Sequence, residues 1–475
     1  MVVGEIATGT EVLVIGAGPG GYVAAIRAAQ LSKEVTLVEK DELGGICLNH
    51  GCIPSKALIY AANFVHKLKH LDEMGITVSG VKVDVEKLQS WKQNSVVNKL
   101  TSGIAQLCKG HGIEVIKGRA VFTSPKKVSI ESEHGTQAIE FKKAIIATGS
   151  RSVELPGFEF DGEMILSSRH ALKLKKAPQR LLIIGGGYIG LELGTFYAKL
   201  GSQVTVIEMM SQLLPGNDLE LVRVVERKLK QMGIEIYLNS KAKAINKGKD
   251  GAKVIVDAQG KEMKLEADKV LVSVGRRPNH QGLGLEKAGV ELDGKGFIKI
   301  DGNLRTTNPN IHAIGDVAGP PLLAHKATHE GIVAAEIMAG LPSAPDWRAV
   351  PAVIFTDPEI ATVGLTEKEA QQNGYKPIIG RFPFAASGRA LTTGETDGFV
   401  KIIADESTQQ ILGVHIVGPE ASNLISEAAL AIEMGATLED IALTIHPHPT
   451  LPESLMEAAG AAMGKAIHIL SPRKK

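Results

Sequence analysis

Two of the chain's three cysteines, Cys47 and Cys52, lie in the stretch "GGICLNHGC", residues 44–52. Such a pair can be a redox couple, half of a zinc site completed by His50, or two unpaired thiols. Three cysteines cannot build a disulfide framework, and a structural zinc site needs four ligands in recognisable spacing, which the distant Cys108 does not complete. Cys108 reads as a small core residue. In a straight helix, residues i and i+5 stand about 8–9 Å apart, beyond the ~7 Å that a disulfide tolerates. A bridge therefore requires a bend, and Asn49 and Gly51 are types that permit one. Pro54 fits the first turn of a helix through "SKALIYAANFVHKLKH". Cys52 then stands at a helix start, where the dipole favours a thiolate.

A second chemical cluster closes the chain: "LTIHPHPTLPES" carries His446, His448 and Glu453. Pro447 and Pro449 are expected to keep it extended, and Pro452 to open a helix with Glu453 in its first turn. A carboxylate there can fix the tautomer of an imidazole acting as general base. A metal pair or a satisfied turn histidine is the other reading.

These groups need a scaffold, and the sequence repeats one. In "EVLVIGAGPGGYVAAIRAAQLSKEVTLVEK" a β-rich run, Val12–Ile15, meets Gly16, Gly18 and Gly21, then a helical pattern, then a strand ending at Glu39. "RLLIIGGGYIGLELGTFYAKLGSQVTVIEMM" repeats this with Gly185, Gly187, Gly190 and Glu208. In each copy the first glycine permits a tight turn, the second lets backbone N–H groups approach a pyrophosphate, and the third lets helix and strand pack closely. The carboxylate can accept from ribose hydroxyls. Each copy predicts a nucleotide-binding, three-layer α/β unit with a largely parallel sheet. Two cradles imply two cofactors exchanging electrons. Glu208 is followed by methionines rather than by arginine or lysine, which favours NAD over NADP. Asp316, at a strand end in "NPNIHAIGDVAG", can accept from a ribose or ribitol hydroxyl, or cap the helix predicted to follow.

The 475 residues suggest about three domains. With 44% hydrophobic and 22% charged residues and a net charge of +1, nothing points to nucleic acid or a membrane surface. No apolar run reaches the ~18 residues of a membrane span, and no signal or transit peptide is evident. The basic end "SPRKK" reads as a solvated tail. A reducing, cytoplasmic setting is expected.

In order, "GAGPGG", "GGICLNHGCIPSKAL", "ATGS", "GGGYIG", "VGRRPN", "AIGD" and "HPHPTLPES" resemble the pyridine nucleotide–disulfide oxidoreductases over essentially the full length. The resemblance implies an α/β fold with two Rossmann-like domains and a C-terminal α+β dimerisation domain. Its divisions are an FAD domain at 1–149, an NAD domain at 150–276, a central domain at 277–347 completing the FAD site, and an interface domain at 348–475. It implies FAD at Gly16, Gly18, Gly21, Glu39, Lys56, Gly149, Asp316 and Ala324. NAD would lie at Gly185, Gly187, Gly190, Glu192, Glu208 and Gly275, and no metal is expected. Cys47 would exchange with lipoamide, Cys52 would contact the flavin, and His448, oriented by Glu453, would be the base. The branch it resembles oxidises dihydrolipoamide with NAD. As a homodimer, the chain would place His448 near the other subunit's cysteines. Its partners would be lipoyl domains and the dihydrolipoyl acyltransferase core of 2-oxo acid dehydrogenase complexes, or the glycine cleavage H protein. No lipoyl segment stands ahead of Gly16, so that group is expected on a partner.

His50 stands where this family's pattern has valine, which puts the nearby thiol chemistry in question. Mercuric reductases carry a C-terminal cysteine pair, where this chain ends in "AIHILSPRKK". Glutathione reductases place an arginine where this chain has Ile26 and prefer NADPH. A nucleotide-binding scaffold with an inert cysteine pair is the reading from another class.

Overall fold

A computed structural model describes residues 8–69, 71–249 and 251–470. The basic end at 471–475 and the first seven residues lie outside these. The chain begins with β1 (Thr8–Ile15), α1 (Pro19–Gln30), β2 (Val35–Glu39), α2 (Gly45–His50) and α3 (Cys52–Leu68). Val12, Leu13, Val14 and Ile15 of β1 are all at most 4% exposed, so both faces of the strand are covered. A continuous apolar run, rather than an alternating one, suits such a strand. Each large side chain buried this way stabilises by about 1.5–3 kcal/mol.

The first sheet continues with β3 (Glu114–Lys117), β4 (Arg119–Ser124), β5 (Lys127–Ser132) and β6 (Gly135–Ile146), in the order β3-β2-β1-β6-β5-β4. β1 pairs in parallel with β2 and β6, whereas β4, β5 and β6 form an antiparallel meander. This sheet is thus mixed, where a largely parallel one was expected. The short β4 and β5 are joined by a tight turn, which only an antiparallel pair can use. A later strand, Ile311–Ala313, returns to pair in parallel with the end of β6.

The second unit meets the parallel expectation. Its five strands run in the order 235–237, 203–207, 180–184, 269–272, 165–166, all in parallel, beside a three-stranded antiparallel meander. The chain enters and leaves this unit through one antiparallel ribbon, Ser150–Ser152 against Arg276–Pro278. Helix Ala324–Ala339 then closes against α1. A Cβ on Gly331 would come within 2.4 Å of the Gly20 carbonyl oxygen, so glycine permits that approach.

The third unit is a five-stranded antiparallel sheet, in the order 352–354, 359–364, 411–418, 399–405, 377–383. Helices Ala421–Met434 and Glu453–Ala462 pack on it through Ile425, Ala428, Leu455, Ala458 and Ala459, all within one buried cluster. No described helix is long and apolar enough to cross a membrane.

Candidate active site

The two glycine turns are built alike. At Gly21 a Cβ would lie 1.8 Å from the Gly16 carbonyl oxygen, and at Gly190 one would lie 2.5 Å from that of Gly185. Those positions exclude any side chain. At Gly18 and Gly187 a Cβ would meet nothing within 4 Å, so the turn is open on the side where a phosphate would approach. Gly16 and Gly185 themselves have φ of 99° and 104°.

The paired glutamates also match. Glu39 accepts from the Ala17 N–H at 2.7 Å and the Asp41 N–H at 2.8 Å. Glu208 accepts from the Gly186 and Met210 N–H groups, both at 2.7 Å. Each carboxylate therefore ties its glycine turn to the loop after the second strand. This fixes the carboxylate in place, a task that sequence spacing did not disclose.

The cysteine segment is docked onto the first turn. Gly44 N–H donates to the Ala17 carbonyl at 2.8 Å, and a Cβ on Gly45 would lie 2.6 Å from the Gly18 Cα. α2 carries Cys47, and α3 begins at Cys52. The bend between them falls at Gly51, with φ −141° and ψ −110°. Asn49 does not make it. That residue lies inside α2, and its amide donates to the Leu43 and Gly45 carbonyls at 2.9 and 3.0 Å. The pair stands as two free thiols sharing a hydrogen bond, with Cys47 half-buried and Cys52 exposed. The hydrogen bond from Cys47 and the nearby Lys56 ammonium outweigh desolvation and hold Cys52 down to about 7. The same contact, with burial, pushes Cys47 up. The dithiol thus favours a thiolate on Cys52 and a proton on Cys47. His50 is lowered by burial and by Arg169 and Lys173, against a weaker pull from Asp41. Cys108 is fully buried.

A cavity of about 770 Å³ joins these features. Its lining brings together Gly16, Gly18, Glu39, Cys47, Cys52, Lys56, Gly149, Asp316 and Ala324, and also Glu192 from the second unit. Gly185, Gly187 and Gly190 of the second turn, Glu208 after strand 203–207 and Gly275 after strand 269–272 lie outside that lining. Asp316 does not cap the helix beginning at Ala324, which has Leu323 as its N-cap. It accepts instead from the Ser150 hydroxyl, which in turn accepts from Arg276 Nε at 2.7 Å. Lys56 donates to Glu192 at 2.8 Å and stands 4.4 Å from the Phe355 ring centroid. Glu192 also accepts from the Phe355 N–H at 2.9 Å. One polar knot thus joins all three units beside the cysteines. Ser150 and Arg276 stand inside the "ATGS" and "VGRRPN" motifs but were assigned no role there, and Phe355 lies in no motif.

His448 and Glu453 meet, with Nδ1 2.9 Å from Oε1, and the Thr450 N–H donates to the other carboxylate oxygen at 2.7 Å. Burial pushes the Glu453 carboxyl up, but those two contacts outweigh it and leave it below its usual range. The segment is irregular rather than simply extended, and the His448–Pro449 peptide is cis. His448's side chain is 79% exposed and does not line its own chain's cysteine cavity. Among the described residues, no group of three or more histidine, cysteine or acidic side chains is placed to hold a metal ion.

Two dinucleotide cradles around a polarised dithiol define a class, the flavin- and nicotinamide-linked disulfide oxidoreductases. Comparison with known proteins makes this specific. Residues 10–331 match the pyridine nucleotide-disulphide oxidoreductase family and residues 350–459 its dimerisation domain, so the chain belongs to that family. It is 53% identical to the dihydrolipoyl dehydrogenase of Haloferax volcanii, with 99% of this chain and 100% of that protein covered. The identity to the dihydrolipoyl dehydrogenase of Geobacillus stearothermophilus is 51%, with the same coverage. Among solved structures, LpdA from Mycobacterium tuberculosis superposes with a TM-score of 0.89 at 29% identity, covering 95% of this chain and 99% of that one. The HOCl-induced flavoprotein disulfide reductase RclA from Escherichia coli does so at 0.85 and 29%, with the same coverage. The cofactors are FAD and NAD, and the protein is a homodimer.

Proposed function

We propose that the protein oxidises dihydrolipoamide to lipoamide and reduces NAD⁺ to NADH, as a dihydrolipoyl dehydrogenase. The observation that carries this is the Cys47–Cys52 dithiol, polarised by its own hydrogen bond and by Lys56, in the cavity that the first dinucleotide cradle lines. In the oxidised enzyme the two sulfurs form a disulfide. A dihydrolipoamide thiolate attacks Cys47, and the second substrate thiol then releases lipoamide, leaving two electrons on the enzyme dithiol. FAD, when bound, supplies two-electron exchange between that dithiol and NAD⁺.

Gly16, Gly18, Gly21, Glu39, Gly149, Asp316 and Ala324 would hold FAD, and Gly185, Gly187, Gly190, Glu208 and Gly275 would hold NAD. Lys56 and Glu192 set the charge beside Cys52. Glu453, accepting from Nδ1–H of His448, leaves Nε2 free to take the proton of the attacking thiol. Since His448 is exposed and absent from its own chain's cysteine cavity, it serves the cysteines of the partner subunit.

The ribbon of Ser150–Ser152 and Arg276–Pro278 supports a division into 1–149, 150–276, 277–347 and 348–475. The dihydrolipoamide is carried by lipoyl domains on an acyltransferase core, or by the glycine cleavage H protein. A chain with only three cysteines suits a reducing cytoplasm. The test is anaerobic addition of dihydrolipoamide to the purified yellow protein, followed by NAD⁺. The flavin spectrum should gain a long-wavelength charge-transfer band from the Cys52 thiolate and return to its oxidised form as NADH appears; no spectral change, or a change without NADH, defeats the assignment.

A further inference from the structure

The loop that presents His448 contains a second histidine–carboxylate pair. His446 lies two residues earlier, yet its side chain is 4% exposed where that of His448 is 79% exposed. Its Nδ1 is 2.8 Å from the Thr444 carbonyl oxygen, and its Nε2 is 2.8 Å from Glu427 Oε1. Glu427 stands on helix Ala421–Met434, whose other face is buried against the five-stranded sheet.

A carbonyl only accepts, so Nδ1 must carry a proton. A neutral ring would then turn the Nε2 lone pair toward the carboxylate. The geometry is satisfied only when a proton also lies between Nε2 and Oε1, whichever atom holds it more closely. Such a charge-assisted bond is shorter and stronger than a neutral one. The far end of the loop is pinned separately, by Thr450 N–H on Glu453 and by the Thr450 hydroxyl on the Pro447 carbonyl at 2.6 Å. The loop is therefore clamped to one helix through His446 and to another through Glu453, with His448 at its apex.

We infer that His446 and Glu427 are positioning residues, a proton-bridged pair that holds the base-bearing loop in place for attack on the partner's disulfide. The inference rests on His448 being the base. Neither residue need touch the substrate.

The experiment uses holoenzyme and four variants. His446→Asn and Glu427→Ala break the bridge. Glu427→Gln keeps a hydrogen bond, because its amide can donate to Nε2 of a neutral ring. His448→Ala tests the underlying reading. Each is assayed for kcat and KM with dihydrolipoamide, for NADH oxidation by a quinone that takes electrons at the flavin, and for dimer mass. Histidine ring protons are read by NMR at neutral pH. The first two variants should lose about tenfold in lipoamide kcat, less than the ~10²–10⁴-fold expected for removing a base outright. Their KM, quinone rate and dimer mass should be unchanged. Glu427→Gln should keep its rate within about twofold, and the wild type should show a low-field ring N–H that this variant lacks.

Full lipoamide turnover in His446→Asn overturns the inference. So does a parallel loss of both activities with dissociation of the dimer, which would make the pair an interface support only. A wild-type spectrum without the low-field proton overturns the bridge. If His448→Ala keeps its lipoamide rate, the base assignment fails first.

Discussion

At the level of single residues, the chemistry rests on groups whose neighbours decide their state. Cys52 is the clearest case. Its thiol is held at about 7 by the hydrogen bond from Cys47 and by Lys56. A lowered thiol pKa means that the thiolate persists above neutrality and is lost as pH falls through 7. Alkylation of the reduced enzyme at Cys52 should therefore be half-maximal near pH 7, and in Lys56→Met the midpoint should move to higher pH. A midpoint unmoved by that change would show that Lys56 does not bias the pair. Glu208 leads to a different expectation from the one that charge repulsion alone gives. Its two backbone contacts would both be lost in Glu208→Ala, leaving the Gly186 and Met210 N–H groups unsatisfied. At about 1–3 kcal/mol for such a loss, the KM for NAD⁺ should rise roughly tenfold or more. NADP⁺ should gain little, so the two cofactors converge mainly because NAD⁺ is bound less well. Steady-state kinetics with both nucleotides reads this directly.

At the level of elements, the strand–glycine turn–helix units separate packing from binding within a few positions. Gly190→Ala forces a methyl to 2.5 Å from the Gly185 carbonyl oxygen and 2.6 Å from the Ser273 hydroxyl. It should cost about 1–3 kcal/mol, seen as a lower thermal midpoint. Gly187→Ala places its methyl in open space and should leave the midpoint alone while raising the KM for NAD⁺. Equal loss of stability in both variants would contradict this division. These turns were legible because their glycines recur at fixed offsets from an apolar run and a terminal glutamate. The bend at Gly51 was half legible: two bend-permitting residues were available, and only tertiary contacts chose between them. Asn49 was occupied in tying α2 to its own loop, so the chain turned at the glycine. The antiparallel β4–β6 meander was not legible from the cradle motif, which specifies only the strands around it. Arg276 and Ser150 stand in quoted motifs and Phe355 in none, but what all three do was hidden for a related reason. Their roles come from contacts between segments more than a hundred residues apart, and no local pattern encodes those.

For the whole molecule, the placement of His448 decides what counts as a working unit. Subunits carrying Cys47→Ser and subunits carrying His448→Ala should each be inactive alone. After subunit exchange the mixture should regain lipoamide turnover, because one of the two sites in a mixed dimer has both an intact disulfide and an intact base. Confirmed exchange without recovery would place the base in its own chain. The exposed apex of the loop also predicts how damage behaves in a mixed population of good and bad copies. A chain with one lesion disables one site per mixed dimer and spares the other, so activity follows the intact fraction in a straight line. A chain with both lesions disables its own cysteine site and also withholds a base from its healthy partner. Activity then follows the square of the intact fraction, about a quarter rather than about half in an equal mixture. Co-expression at graded ratios distinguishes the two curves. The first lesion is recessive in character, and the double lesion is dominant, although the poisoned partner carries no defect of its own.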